Sequence, residues 1–551
     1  MNPLVARILE NRGIGAAELE AFLHPTLDRL AKPEELPGVV EAADAILSAL
    51  SERCLIVVFG DYDCDGVCAT AILSRTLQAL GGNVAEFVPD RLTEGYGMSD
   101  ASVARMLREN PGVGLVVTVD NGINSISQVA DLKAKGVSVV VTDHHLPSYV
   151  ATESGELGEM LLPDALAVVN PKVAAPESLN QLCGAGVAFL LANRVVSEAR
   201  ARGLYAGPSV GGPLLVMAGL ATVTDIMPLL GQNRILVAEA LRRFLACAPL
   251  GLRELHARAA RNAYGELTTR DFGFMLGPRI NAAGRIASGM EALELLLSED
   301  REITRELARI IDCYNVERKS IEQKMVDEAL EKIVPGAAAQ VIDLPGGHPG
   351  VAGIVAARVM ERLGETVPVC VYAGGHGSAR APDGFNIRDA FVACADPLDR
   401  FGGHAAAGGF SVKEGRIDDF RRLLCDYCAR QGRRAAAGAA VREPDLWVDP
   451  SDLTLSLAED LLLLEPFGEG NPEPVFGLKS VFFSDVRPLG ADGRHLSITL
   501  RKSGLRAIQW NHGDQVERLR AESAVPHDLT FTVVLSDYGE RHVELRLISI
   551  S

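Results

Sequence analysis

The feature that most constrains this chain is a short apolar run ending in a burst of carboxylates. Leu55-Ile-Val-Val-Phe59 is followed by Gly60-Asp-Tyr-Asp-Cys-Asp-Gly66. An unbroken apolar run of strand length reads as a strand buried on both faces. The helical pattern behind it runs to Leu80 and is stopped by Gly81-Gly82. The alternation then recurs: Val84–Val88, Gly114–Val119, Val137–Val141 and Ala165–Val169 read as further strands, with a helix near 124–135. This predicts an α/β lobe on a parallel sheet covered on both faces. Ligands of such sheets bind beyond the carboxyl ends of the strands. Three strand ends bring chemistry to that edge: Asp61, Asp63 and Asp65 after the first, Asp120 after the third, and Asp143, His144 and His145 after the fourth. Asp225, after a helical stretch, is placed to fold back as a further ligand.

Carboxylates gathered this closely repel one another and need compensating cations. Two divalent ions meet that need, and carboxylates mixed with imidazoles suit Mn²⁺ or Mg²⁺ better than zinc. An Asp shared between two such ions suits phosphoryl hydrolysis. Each piece also has a plainer reading. Asp-Gly after a strand is often a turn with a helix N-cap, Asn-Gly is a turn dipeptide, and one His of a pair can be a packing residue. Turn chemistry, however, requires neither His-His nor three alternating Asp.

The rest of the chain divides by pattern. Residues 1–50 read as a helical segment without a motif, and 184–245 as mostly helical. Glu291–Val334 lacks Gly and Pro, which predicts a long helix or helix pair bridging two lobes. A second α/β unit follows, with strands at Ala339–Ile342 and Val367–Tyr372 around a helix at 351–364. The Arg-, Ala- and Gly-rich stretch 431–445 reads as a linker. Five β-rich runs close the chain, at 481–486, 496–501, 505–510, 529–535 and 543–548. They suggest a small barrel of OB type, although periodicity alone does not separate it from other small β barrels. The expected domains are 1–50, 51–245, a connecting region 246–334, then 335–432 and 445–551.

Basic residues number 54 and acidic 72, a formal charge of −18, with 48 % apolar residues. That excludes a disordered acidic chain or a non-specific nucleic-acid coat, but permits a locally basic groove. Residues 251–290 carry Arg253, Arg258, Arg261, Arg270, Arg279 and Arg285 against Glu254, Glu266 and Asp271. Arg279 and Arg285 flank Asn281 in what reads as a Gly-bounded loop. Gly377-Ser-Ala-Arg380 offers backbone N–H groups, the Ser378 hydroxyl and the Arg380 guanidinium to a terminal phosphate. Arg91 extends from the same sheet edge as the carboxylates, and the glycines around His404 suggest close backbone approach to nucleic acid. The plainer reading of most of these Arg is a solvated surface charge. The ten Cys are scattered, and reduced thiols are expected, with Cys425-x-x-Cys428 lacking a second pair. No stretch approaches 18 apolar residues and no leader pattern opens the chain, so a cytoplasmic protein is expected.

Taken together, Gly60–Gly66, Asp120-Asn-Gly122, Asp143-His-His145 and Asp225 resemble the four motifs of the DHH phosphoesterase superfamily. Gly402-Gly-His-Ala-Ala-Ala-Gly-Gly409 resembles the signature of the associated DHHA1 domain. Gly277-Pro-Arg-Ile-Asn-Ala-Ala-Gly-Arg285, Gly377–Arg380 and Glu465-Pro-Phe-Gly-Glu-Gly-Asn-Pro472 are similar to segments of the RecJ family of single-strand-specific exonucleases, as is the domain order. The resemblance implies a DHH lobe, a DHHA1 lobe that grips nucleic acid and a terminal OB-like barrel. It implies metal ligation by Asp61, Asp63, Asp65, Asp120, His144 and Asp225, with Asp120 as the bridge. It places His145 at the scissile phosphate or leaving group, and Asp143 behind a neighbouring His. Arg91, Arg279, Asn281, Arg285, Ser378, Arg380 and His404 fall on the substrate side.

The implied activity is 5′→3′ hydrolysis of single-stranded DNA to 5′-mononucleotides in repair and recombination. The implied enzyme is a monomer assisted by a single-stranded DNA-binding protein and a helicase. Cys64 departs from the family, which usually has a small residue such as Ala there. Two other readings are a DHH hydrolase of short oligonucleotides, cyclic dinucleotides or pyrophosphate, and an inactive binding protein of the same superfamily. The length disfavours the first, and the full ligand set disfavours the second.

Overall fold

A computed structural model describes residues 1–95, 97–151, 157–208, 211–260, 267–432, 443–536 and 541–551. Arg261, Glu266 and most of the expected linker lie outside the described residues. The chain forms two compact units: Lys32–Asp225 with Ala240–Ala440, and Met1–Ala31 with Ile226–Glu239 and Val441–Ser551.

The first unit begins with the expected alternation. Its strands are β1 (Leu55–Phe59), β2 (Asn83–Phe87), β3 (Val113–Thr118) and β4 (Ser138–Thr142), then a hairpin, β5 (Ser148–Ala151) and β6 (Leu157–Leu161), and β7 (Ala167–Val169). Five of them pair in the order β2-β1-β3-β4-β7, all parallel. Val57, Phe59, Val116, Val139 and Val141 bury one face of this sheet. The β5–β6 hairpin carries no sequence signal because it buries little: Val150 and Leu161 remain exposed.

The Gly- and Pro-free stretch is a helix pair, Gly289–Leu297 and Arg301–Glu331. The Asp300 carboxylate starts the second helix by accepting the N–H groups of Glu302 and Ile303. Beyond it lie β8 (Gln340–Leu344), β9 (Val369–Ala373), β10 (His376–Arg380), β11 (Leu398–Gly403) and β12 (Ala407–Val412). Their order is β11-β12-β10-β9-β8, and only β8 and β9 run parallel.

Gly277–Arg285 is not a loop but helix Gly277–Ile286, entered through a π-helical turn at Asp271–Leu276. Its glycines serve close packing: a Cβ on Gly277 would lie 2.1 Å from Thr224 Cγ2, and one on Gly284 would lie 2.3 Å from the Tyr62 carbonyl oxygen. Likewise, Gly377–Arg380 is an inner strand with β9 on one side and β12 on the other. The sheet ladder therefore uses its backbone N–H groups, leaving side chains to meet a ligand.

The second unit holds a seven-stranded mixed sheet. Its strands are β13 (Leu446–Trp447), β14 (Phe476–Val481), β15 (Phe483–Leu489), β16 (His495–Leu500), β17 (Arg506–Gln509), β18 (His527–Ser536) and β19 (His542–Ile550). They pair in the order β13-β14-β18-β19-β17-β16-β15. The single run expected at 481–486 is divided, because a register shift after Leu478 and a left-handed Ser480 (φ 52°) bend the chain between β14 and β15. Val5, Ile8, Leu9 and Phe22 of the first helices share one core with Leu446, Leu457, Phe476 and Phe531. Arg234 enters the same unit almost fully buried. It donates to the carbonyls of Phe22 and Glu465 at 2.7 Å each and lies 3.8 Å from the Phe22 ring centroid.

Candidate metal centre and phosphate cluster

The loop after β1 turns directly into helix Cys64–Ala79. Asp63 is its N-cap, one oxygen accepting the N–H groups of Asp65 and Gly66 at 3.0 Å each. The turn reading and the ligand reading therefore hold together. Gly66 lets the loop close on itself, since a Cβ there would lie 2.7 Å from Asp61 Cα. Asn281 grips the same loop from helix Gly277–Ile286 by accepting the Cys64 N–H at 2.8 Å.

After β3, Asp120 has a left-handed backbone (φ 62°), a conformation that costs a non-glycine residue about 1–3 kcal/mol. The neighbouring Asn121 amide ties the β1 and β3 ends together through the carbonyls of Phe59 and Val119. After β4, Asp143 accepts the N–H groups of Ile123, His144 and His145, and its Oδ1 lies 2.7 Å from His145 Nδ1. Both Asp143 oxygens are thus occupied by hydrogen bonds.

His144 Nε2 lies 3.1 Å from Asp120 Oδ1, 3.6 Å from Asp65 Oδ2 and 3.7 Å from Asp225 Oδ2. The ligand-type atoms form overlapping groups: Asp61 with Asp63 and Asp120, Asp65 with His144 and Asp225, and Asp120 with His144 and His145. Asp120 and His144 each belong to two of them. The electrostatics demand cations. Burial and neighbouring carboxylates push Asp61, Asp63 and Asp120 above the ordinary carboxylate range, and Asp225 to about 9. Asp225 also follows the C-terminus of helix Gly211–Thr224, the end at which a helix disfavours an anion.

Both Asp61 oxygens and Asp225 Oδ2 are buried without a hydrogen bond of ordinary geometry. Burial lowers His144 to about 4, so its ring is neutral and able to ligate. Burial opposes charge on His145 as well, but the bond to Asp143 prevails and raises it to about 9. Oxygen donors with one neutral imidazole fit Mn²⁺ or Mg²⁺. Cys64 does not join them; it is buried and hydrogen-bonds Cys68 one helical turn on.

Arg91 and Arg285 interact with the charge of Asp63, and Arg380 adjoins these two guanidiniums. Arg91 is 4.9 Å from the Tyr62 ring centroid. Arg285 donates to the Gly350 carbonyl at 3.0 Å, and burial together with the charge of Arg91 lowers it to about 9. The same two causes lower Arg380. Ser378 and Arg380 share one face of β10, and Gly353 makes room for them: a Cβ there would lie 3.1 Å from Arg380 Nη2 and 3.5 Å from Ser378 Oγ. Cations pressed together out of water form a natural anion site.

His404, in the turn between β11 and β12, stacks on His145 with centroids 6.1 Å apart and planes 10° from parallel. Of the glycines around it, Gly403 and Gly408 serve packing, whereas Gly402 has open space where a Cβ would be. Arg279 is the residue not brought to this cluster: its guanidinium is engaged by Asp312 at 2.9 Å and the Met275 carbonyl at 2.8 Å. One element escaped the sequence reading. The N–H groups of Gly184 and Ala185, at the start of helix Gly184–Ala201, donate to the two Asp65 oxygens at 2.7 and 2.8 Å. Gly184-Ala-Gly186 at a helix start was the available signal.

Comparison with known proteins identifies the domains. The DHH family, N-terminal domain, matches residues 55–208, the DHHA1 domain 336–430 and the RecJ OB domain 444–549. The single-stranded-DNA-specific exonuclease RecJ of Dickeya dadantii is 37 % identical, over 86 % of this chain and 83 % of that protein. The chain belongs to the RecJ family. The RecJ of Bacillus subtilis is 35 % identical over 94 % of this chain, which spans 64 % of that relative's length. The structure of Thermus thermophilus RecJ in complex with Mn²⁺ aligns over 100 % of this RecJ-family chain and 76 % of its own, with a TM-score of 0.81 and 32 % identity. Among the described residues no helix is long and apolar enough to cross a membrane.

Proposed function

We propose that this chain is a metal-dependent 5′→3′ exonuclease that releases 5′-mononucleotides from single-stranded DNA. The observation that carries the reading is the adjacency of two opposite charge clusters: carboxylates that need divalent cations, and the guanidiniums Arg91, Arg285 and Arg380, which need an anion. A strand end meets both needs if its 5′-phosphate enters the guanidinium cluster and the next phosphodiester lies over the carboxylates.

Asp61, Asp63 and Asp120 would hold one ion, and Asp65, Asp120, His144 and Asp225 the other. Bound there, the two ions supply charge neutralisation at the phosphate and an activated water. The protein's own groups do the rest. The Gly184 and Ala185 N–H groups and the Asn281 amide fix the carboxylates in place. Asp143 takes His145 Nδ1, leaving the other ring nitrogen of a charged imidazole for the phosphate or the departing oxygen. Ser378, Arg380, Arg285 and Arg91 bind the terminal phosphate, and His404 flanks it. RecJ-family membership supports a role in DNA repair and recombination, as a cytoplasmic monomer working with a single-stranded DNA-binding protein and a helicase.

The test is a time course with Mn²⁺ on single strands labelled at either end. The 5′ label should leave at once as a mononucleotide, while the 3′ label stays on a progressively shortening ladder. Early release of the 3′ label, or cleavage confined to dinucleotides, would overturn the reading.

A further inference from the structure

Arg91 differs from the other guanidiniums of its cluster in where it stands. Arg285 is on helix Gly277–Ile286 and Arg380 on β10, whereas Arg91 lies in the loop between β2 and helix Asp100–Glu109. The three cations act against one another. A loosely held Arg91 would swing toward water whenever no anion is bound. The Tyr62 ring steadies its guanidinium, but the backbone beneath it needs an anchor of its own.

That anchor is a pair of side chains that nothing above uses. Glu94, three residues beyond Arg91, turns its carboxylate back into the loop, where 8 % of the side chain is exposed. Its Oε2 accepts the Asp90 N–H at 2.7 Å. Arg105, on the helix that follows, donates to both oxygens, from Nε to Oε1 at 2.7 Å and from Nη2 to Oε2 at 2.8 Å. The same Nη2 donates to the Val88 carbonyl at 2.9 Å. The pair thus fixes the backbone at residues 88 and 90 before Arg91, and at 94 after it. Asp90 tightens the turn between, its Oδ1 accepting the N–H groups of Leu92 and Thr93 at 2.9 and 2.8 Å.

Exposed ion pairs contribute little, but this one is bidentate and enclosed, the geometry that specifies position. The Arg105 guanidinium lies 4.1 Å from the Phe87 ring centroid, and Phe87 packs on Phe59 at the end of β1. The bond to Arg105 holds Glu94 below the ordinary carboxylate range. The far end of the loop is secured separately. Ser99 and Ser102 cap the helix reciprocally, and Ser102 Oγ donates to the Gly97 carbonyl at 3.1 Å. Loosening the pair therefore frees Arg91 without undoing the loop where it meets Asn121 beside the metal centre.

We propose that Glu94 and Arg105 are positioning residues that set the preference for 5′-phosphorylated ends, by holding Arg91 in the guanidinium cluster against the repulsion of Arg285 and Arg380. This rests on the reading that a terminal phosphate enters that cluster. Neither residue touches the strand; both act through Arg91.

The experiment compares wild type, Glu94→Gln, Arg105→Lys, Arg91→Ala and the double variant Arg91→Ala/Glu94→Gln on 5′-phosphorylated and 5′-hydroxyl oligothymidylate of one length, with Mn²⁺. The quantity read is the ratio of kcat/KM on the two ends. A hydrogen bond to a charged group is worth a factor of about 10–100, so Glu94→Gln should lower the ratio about tenfold, through KM for the phosphorylated strand. Its kcat/KM on the 5′-hydroxyl strand should stay at the wild-type value. Arg105→Lys keeps the charge without the bidentate bond and should lower the ratio by less; it carries the test should Glu94→Gln melt early. Arg91→Ala should lower the ratio at least as far as Glu94→Gln, and the double variant no further than Arg91→Ala. Equal losses on both ends, or losses that add in the double variant, would mean a structural role and overturn the proposal. A preference that Arg91→Ala removes but Glu94→Gln and Arg105→Lys leave intact overturns the pair alone. A wild type with no 5′-phosphate preference overturns the phosphate cluster itself and the role of the pair with it.

Discussion

Gly184→Ala puts the metal centre under test without removing a single ligand. The added Cβ would lie 2.6 Å from Asp120 Cβ, 2.7 Å from its Oδ1 and 2.8 Å from its Cγ. Carbon atoms pack comfortably at about 3.5–4.0 Å, so the overlap is about 1 Å. It falls on an atom that no rotamer change can move, on a residue whose backbone is already in the left-handed region. Either Asp120 yields, or the helix start withdraws and its N–H groups release Asp65. Overpacking of this kind costs about 1–3 kcal/mol, which a unit with this much buried core absorbs. Activity is less tolerant. A misplacement of ~1 Å in a catalytic constellation costs about a hundredfold in rate, and disturbed support of metal ligands costs about 10–100-fold in affinity. The assay is Mn²⁺ titration by calorimetry, paired with mononucleotide release across a range of Mn²⁺ concentrations. The variant should keep its melting profile, bind Mn²⁺ about 10–100-fold more weakly and turn over about a hundredfold more slowly. Wild-type affinity together with wild-type rate would refute the role given to this helix start.

Arg380→Ala should abolish any preference for 5′-phosphate over 5′-hydroxyl ends while leaving binding to the body of the strand; equal 5′-phosphate preference in variant and wild type, measured as the ratio of kcat/KM values, counts against the guanidinium cluster. Mn²⁺ at a hundred times its Kd should stabilise the protein by about 2.7 kcal/mol, read as a higher melting temperature, and Asp120→Ala should lose most of that gain. A wild type indifferent to Mn²⁺ would contradict the metal assignment. Removing residues from 445 onward takes away the Leu463, Glu465 and Pro466 carbonyls that surround the Arg234 guanidinium. Without those residues the core that Val5, Ile8, Leu9 and Phe22 complete is open to water, so hydrogen exchange should find residues 3–23 and 226–239 unprotected in the truncated chain. Retained protection there would mean that these segments fold without the strands.

What the sequence could disclose followed from how locally each property is determined. The inner strands β1, β3 and β4 are nearly continuous apolar runs because both faces are covered, and the ligands stand at their ends because the polypeptide must turn there. Both facts are written within a few residues of each other. Helix Gly277–Ile286 looks like a loop in sequence because glycine signals flexibility locally and close approach tertiarily; the atoms that Gly277 and Gly284 avoid belong to Thr224 and Tyr62. Gly377–Arg380 was read as offering backbone donors because nothing in four residues reveals a neighbour on each side of a strand. Arg279 and Arg285, six residues apart, are indistinguishable as sequence, yet Asp312 engages one and the other joins Arg91 and Arg380. The two N–H groups that hold Asp65 belong to a helix start more than a hundred residues downstream, and no side chain advertises them.

The joining of Met1–Ala31 with Val441–Ser551 in one compact unit bears on how the molecule is made. Ribosomes add about 5–20 residues per second, so the helices at the start of this chain emerge some 20–80 seconds before the strands that cover them. Through that interval Val5, Ile8, Leu9 and Phe22 lack the residues that complete their core. The intervening α/β unit can form in the meantime, since its sheets draw on contiguous stretches of chain. Nascent protein of intermediate length should therefore present a folded body with a sticky leading segment, the kind of species that chaperones hold. Slowing translation would lengthen that exposure, and a circular permutant joining the first helices to the end of β19 would abolish it.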